Sequence, residues 1–330
     1  MKHYHIPLVS AHAILVRACL TVLLQLDENV DKKRLKTFPL AFYAAQHWVD
    51  HAEYEDVASR VQGAMEELFN PSKPYLAAWT WIHDVDSHED RKTIGHLKER
   101  PERPEGTALY YAVLCGFSGL ANYLIITHEE NVHAKCGRHG SPLHAASYKG
   151  DLDAVRLLLS HGVDKNKAEN GRTPLGSAYR GGHLNVMRLL LERGADVDTP
   201  CNYDERILHK ASLDGDVDVT RLLLQYNANV NTRDDIEDTP LHNASIAGRA
   251  RVARLLLEHE VDVNARGCSH ETPLYKASHN GYLEVVQLLL EHGADVQLRG
   301  KNNRTPFQVA TSEGHVEIAQ LLLEHGVEKE

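Results

Sequence analysis

The sequence predicts an all-α solenoid of seven helix-turn-helix units preceded by a helical capping domain, and three observations carry that prediction. A seven-residue phrase recurs along the last two thirds of the chain at steps of 32 to 34 residues. Each phrase is followed by a glycine and then by an apolar, mostly leucine-rich run. Residues 1–100 lack this period, yet they place apolar residues three and four apart, the spacing of one helix face.

The phrase reads TALYYAV from Thr107, SPLHAAS from Ser141, TPLGSAY from Thr173, RILHKAS from Arg206, TPLHNAS from Thr239, TPLYKAS from Thr272 and TPFQVAT from Thr305. Its proline opens a helix at the one position where a missing N–H costs nothing, and the threonine before it can cap that helix. The glycine, as at Gly150, Gly215 or Gly248, lets the chain reverse into a second helix. Small residues such as Ala145 and Ala146 admit the paired helix closely, while runs such as VVQLLLEHG fill the space between units. One unit cannot bury that apolar face alone, so stability is a sum over units and their neighbour contacts.

This pattern resembles the ankyrin repeat over roughly residues 102–330, with units at 102–135, 136–167, 168–200, 201–233, 234–266, 267–299 and 300–330. The resemblance implies helix, turn, helix and a projecting hairpin in each unit, with partners held on the concave face. Two departures are local. The hairpin near Lys167 is one residue short, and Arg206 and Ile207 replace the Thr-Pro pair, so geometry is expected to deviate there.

Residues 1–101 read as a separate helical domain, with helices over Ala11–Leu26 from an N-cap at Ser10, Leu40–Ala52, Val57–Phe69 and Tyr75–Asp84. The runs DENVDKK and NPSKP read as turns between them. The first repeat carries Tyr110, Tyr111, Phe117 and Tyr123, too aromatic for an exposed end unit, which implies that the N-terminal helices cover it. The stretches YHIPLVSAHAILVRACLTVLLQL, FPLAFYAAQHWVDHA and YLAAWTWIHD resemble the segment joining the NTPase module to the ankyrin array in fungal NACHT-type receptor proteins. No phosphate-binding G-x-x-x-x-G-K-[ST] motif occurs, so the resemblance implies the sensing end of such a receptor without its NTPase.

Composition narrows the function. A net charge of −10 argues against nucleic acid or an anionic membrane as partner. Five scattered cysteines without paired spacing indicate a reducing compartment, the cytoplasm or nucleus. The apolar stretch Ala13–Leu26 is too short to span a bilayer and is interrupted by Arg17.

Of the 22 histidines, His144, His209, His242, His161, His259, His292, His325, His183 and His315 fall at recurrent repeat positions and are expected to be structural. The sets His133, Cys136, His139 and Asp84, Asp86, His88 contain ligand residue types, but the first lacks a fourth ligand and the second reads as a solvated acidic linker. No metal, cofactor or catalytic residue is expected, since no nucleophile elbow, H-E-x-x-H or dinucleotide-binding glycine pattern is present.

The expected partner is a protein or peptide, met by residues that the repeat leaves free. Two stripes, before the glycine turns and at the hairpin tips, supply Tyr148, Arg180, Tyr203, Leu213, Asp214, Asp235, Ile236, Asp238, Ile246 and His279. Tyr203, Leu213, Ile236 and Ile246 would form an apolar anchor rimmed by Asp235 and Asp238, fitting a partner with basic flanks. The competing reading is that Ile236 and Ile246 pack on each other. The final run VEIAQLLLEHGVEKE keeps an internal unit's apolar pattern where a polar cap is expected. Either the last helix frays or something covers it: a native continuation, a neighbouring molecule or weak self-association through the C-terminal repeat. A second functional reading is a small-molecule site or enzyme pocket between the N-terminal helices and the first repeat, lined by Trp79, Trp81, Tyr110 and Tyr111.

Overall fold

The computed structural model describes residues 7–26, 30–54, 56–83, 106–202 and 205–326. Helix α1 (Leu8–Leu23) starts directly after Pro7, so Ser10 lies within the helix and is not its N-cap. Proline's fixed φ, here −55°, preorganises that entry without a side-chain cap. Asp31, read from the sequence as turn material, instead caps a short helix α2 (Lys32–Lys36) by accepting a 2.7 Å bond from the Arg34 N–H. Helix α3 (Pro39–Ala52) follows as expected. The stretch from Val57 breaks at Val61 (φ −121°, ψ 11°) into α4 (Val57–Arg60) and α5 (Gln62–Leu68), and α6 (Tyr75–Ile82) is almost wholly buried.

Seven helix pairs come next: α7 (Ala108–Leu114) with α8 (Ser118–His128), α9 (Pro142–Lys149) with α10 (Leu152–Ser160), and α11 (Pro174–Gly181) with α12 (Leu184–Glu192). They continue with α13 (Ile207–Asp214) and α14 (Val217–Gln225), α15 (Pro240–Ile246) and α16 (Ala250–Leu257), α17 (Pro273–Asn280) and α18 (Leu283–Glu291), then α19 (Pro306–Ser312) and α20 (Val316–Glu324). Thr107, Thr173, Thr272 and Thr305 each accept a bond from a first-turn N–H, as the phrase predicts.

The turn glycines meet two demands at once. Gly215 and Gly281 sit in the left-handed region at φ 83° and 79°. A Cβ on Gly215 would also fall 2.8 Å from the Arg249 side chain, and one on Gly281 would fall 2.5 Å from the ring of His315. Each turn is thus the seat of a side chain from the following helix pair.

The anticipated irregularity at Arg206 takes the form of a short antiparallel ribbon, β1 (Pro200–Asn202) with β2 (Glu205–Arg206). α13 then begins without a side-chain cap, and the Arg206 guanidinium donates to the Asp198 carbonyl. Near the short hairpin, buried Glu169 lies between Lys167 at 2.9 Å and Lys135 at 3.1 Å. Burial alone would raise its pKa, but the two lysines hold it below the ordinary carboxylate value.

The described chain forms two compact units. One comprises residues up to Asn170 with Gly181–Val186; the other comprises Gly171–Arg180 with the residues from Met187 onward. The first is centred on aromatic rings. Trp48 stacks on Phe117 at 5.4 Å and meets Trp79 edge-on at 5.2 Å, and Trp79 meets Tyr111 at 6.3 Å. These contacts join α3 and α6 to the first repeat. In the second unit α13, α15, α17 and α19 lie side by side, backed by α14, α16, α18 and α20. All three leucines of the α18 triplet are buried, whereas in α20 only Leu322 is and Val316 is 73% exposed.

The two central tryptophans separate packing from hydrogen bonding. The Trp79 Nε1–H donates to the Ala45 carbonyl at 3.0 Å, while the buried Trp48 Nε1–H has no partner. Trp48→Ala is expected to cost about 3–5 kcal/mol. Trp48→Phe, which also removes an orphan donor, is expected to cost less than Trp79→Phe, which strands a carbonyl. Urea unfolding followed by circular dichroism checks both; equal losses for the two Phe variants would contradict the assignment.

Candidate partner-binding face

The first helices of the second compact unit are held in register by buried polar groups. The Thr239 N–H lies 3.1 Å from His242 Nδ1, which fixes the proton on Nε2, and this donates to the Glu271 carbonyl at 3.1 Å. His209 reaches the Thr232 and Asp238 carbonyls in the same manner, at 3.1 and 3.2 Å. Burial pushes both imidazoles down, His242 to about 4. His259, His292 and His325 set Nδ1 2.8–2.9 Å from the carbonyl four residues back, at second-helix ends. These repeat histidines tie chain to chain.

Several of the expected partner-binding residues are also tied in. Asp238 is 1% exposed and faces the interior, so it forms no part of a charged rim. Its carboxylate pairs with Lys276 Nζ at 2.9 Å and accepts the Cys268 N–H at 2.9 Å. Burial alone would lower the Lys276 pKa, but Asp238 and Glu271 hold it above the ordinary lysine value. Asp214 is exposed, yet its two oxygens are engaged by Lys210 Nζ at 2.9 Å and the Tyr179 hydroxyl at 3.1 Å. Tyr148 lies in the other compact unit, half-buried, with its ring 4.5 Å from that of His139. Tyr203 lies outside the described residues.

What stays open is narrower. Leu213, half-buried, lies one residue before the end of α13, and Ile246 ends the neighbouring α15, at matching positions of the repeat. Ile236 stands on the turn before α15, beside exposed Asp235. Ile236 is 57% exposed and Ile246 40%, so neither is hidden by the other. Arg180 and His279 are exposed on α11 and α17, and His279 Nδ1 lies 3.8 Å from a Glu313 oxygen. Sequence reasoning missed Arg249, whose Nε donates to the Leu213 carbonyl at 3.0 Å and whose stem crosses the Gly215 turn. The available signal was its position, which holds Tyr282 and His315 in the next two units.

The metal readings find no assembled site. Cys136 Sγ faces the Ala134 carbonyl at 3.6 Å, and among the described residues no three His, Cys, Asp or Glu side chains converge. Asp84, Asp86 and His88 lie outside the described residues. Among the described residues no helix is long and apolar enough to cross a membrane.

The family described as Ankyrin repeats (3 copies) matches residues 109–201, 195–267 and 266–330, about two thirds of the chain. The chain belongs to the ankyrin-repeat family. The ankyrin repeat is generally a protein-interaction module and typically a non-enzymatic scaffold. A curated relative, azaphilone pigments biosynthesis cluster protein L of Monascus ruber, is 31% identical over 164 residues, 47% of this chain. The chain spans only 34% of that protein's length. The crystal structure of the human ASB11 ankyrin repeat domain matches 67% of this chain and 99% of its own, with TM-score 0.57 and 26% identity.

The Asp238–Lys276 pair makes a testable ankyrin-array prediction. Lys276→Ala leaves a buried carboxylate without its counter-charge and is expected to cost about 3–5 kcal/mol, while the double variant Asp238→Asn, Lys276→Met is expected to recover most of that loss. Thermal unfolding of the single and double variants measures this. A single variant as stable as the parent would show that the carboxylate is solvated after all.

Proposed function

We propose that this chain is a non-enzymatic recognition array that anchors a protein or peptide on the apolar patch Leu213, Ile236 and Ile246. The supporting observation is the exposure of Ile236 and Ile246, which among the described residues are the array's exposed large aliphatic side chains apart from Ile126 in the first helix pair and Val316 in the last. The partner's flanks carry both charges: Asp235 attracts a cation, whereas Arg180 and Arg249 attract anions. Asp238 and Asp214 already serve Lys276, Lys210 and Tyr179 and contribute little to the partner.

On this reading residues 1–101 are a covering domain, residues 102–330 are the recognising part, and the protein works in the cytoplasm. We take the chain further to be the sensing array of a fungal receptor-like protein. The N-terminal stretches quoted above support that role, as does similarity to a longer fungal protein.

The test is the double variant Leu213→Asp, Ile246→Asp against wild type in a pull-down from native extract, with fold checked by circular dichroism. Loss of the captured partner is expected, roughly tenfold or more in affinity for a hot-spot pair. Undiminished capture by a folded variant would remove this patch as the anchor.

A further inference from the structure

Outside the array, α1 and α3 bring two imidazoles face to face. His12 Nδ1 lies 3.0 Å from His51 Nδ1, and the His12 ring stacks on Tyr54 at 4.2 Å and 14°. Two neutral imidazoles share such a contact only when one carries its proton on Nδ1 and the other does not. His51 Nε2 is buried with no hydrogen-bond partner. A proton there would be an orphan donor, so His51 is the ring that carries its proton on Nδ1 and donates to His12. The same orphan argues against a metal between the two Nδ1 atoms, because a metal would force the His51 proton onto Nε2, where no acceptor waits.

We infer that the His12–His51 pair is a proton-sensitive clasp between α1 and α3. Protonating His12 makes both Nδ1 atoms donors at hydrogen-bond distance, which destroys the bond, while protonating His51 places an N–H at its buried Nε2, where no acceptor waits. The groups acting on His51 are His12 from α1 and His47 and Asp50 from its own helix. Tyr54 faces His12, Arg17 of α1 turns away to the Arg60 carbonyl on α4, and the sequence of α6 carries no charged residue. Burial, followed by the charge of His12, lowers the His51 pKa from 6.5, against the smaller opposing pull of Asp50. A histidine pushed down on folding contributes stability that is complete above the unfolded value and is lost as pH falls below it. The clasp therefore holds above about pH 6.5 and weakens under mild acid. Trp48 precedes His51 by one turn of α3 and stacks on Phe117 at the start of α8, so loosening reaches the place where the N-terminal helices cover the first repeat.

The chain's tryptophans are Trp48, Trp79 and Trp81, so their emission reports this segment apart from the buried His209 and His242 of the array. Urea unfolding of the whole chain, read by tryptophan emission at pH 7.5 and pH 5.5, should show a lower midpoint in acid for wild type. His12→Phe, which keeps a ring on Tyr54 and removes the Nδ1, should show little change between the two. A wild-type midpoint independent of pH, or an unchanged pH dependence in the variant, overturns the inference. Should the variant fail to fold, an NMR titration of wild-type imidazoles decides: His51 titrating below 6.5 supports the clasp, and titration at or above it overturns it. A midpoint raised by zinc chloride in wild type alone would make the pair a metal site and equally overturn the inference.

Discussion

The governing constraint is that each helix pair is apolar on two sides and too small to hide either. Val285, Val286 and the leucine triplet of α18 are buried because the pair is flanked by neighbours, while the same triplet in α20 buries only Leu322. Most features of the molecule are ways of supplying neighbours. Toward the N-terminus this is done by side chains foreign to the repeat: Trp48, Phe69 and Trp79 form an aromatic joint with Phe117 and Tyr111. Large rings suit that task, since each buries much area and tolerates edge-on contacts.

Apolar stacking alone would let units slide, because leucine ridges are similar from one pair to the next. The buried polar bonds remove that freedom. His242 must find the Glu271 carbonyl and Asp238 must find Lys276, partners that lie 29 and 38 residues ahead, so a shift of one helix turn would leave charges and N–H groups unmatched in a dry interior. Such groups add little net stability and much specificity of register, and they commit His209 and His242 to structure.

The repeat was legible in the sequence because one physical requirement is written seven times, and repetition averages out local ambiguity. The N-terminal segment is written once. There Pro7 displaced Ser10 as the start of α1, the Asp31 cap made a helix from apparent turn residues, and Val61 split one helix into two. The candidate face was only partly legible. Asp235 and Asp238 look alike in sequence, but the second is buried against Lys276, which is itself buried, whereas Lys210 at the same phrase position stays half-exposed and pairs with exposed Asp214. Two lysines share that phrase position, and only packing shows which of them is buried and draws an aspartate inward. The His12–His51 approach joins residues 39 apart with no period to reveal them, and only packing shows it.

The seats at the turn glycines carry an evolutionary corollary. Gly215, Gly248 and Gly281 receive an arginine, a tyrosine and a histidine respectively, three side chains of different shape over the same vacant Cβ position. A seat made by the absence of an atom does not discriminate among its occupants. Units can therefore be exchanged, duplicated or lost by unequal recombination without a matching change next door, whereas a unit joined by a pair such as Asp238–Lys276 can be inherited only together with its neighbour. The array is a chain of interchangeable joints with a few locked ones, and the locked ones mark which neighbouring units have to evolve together.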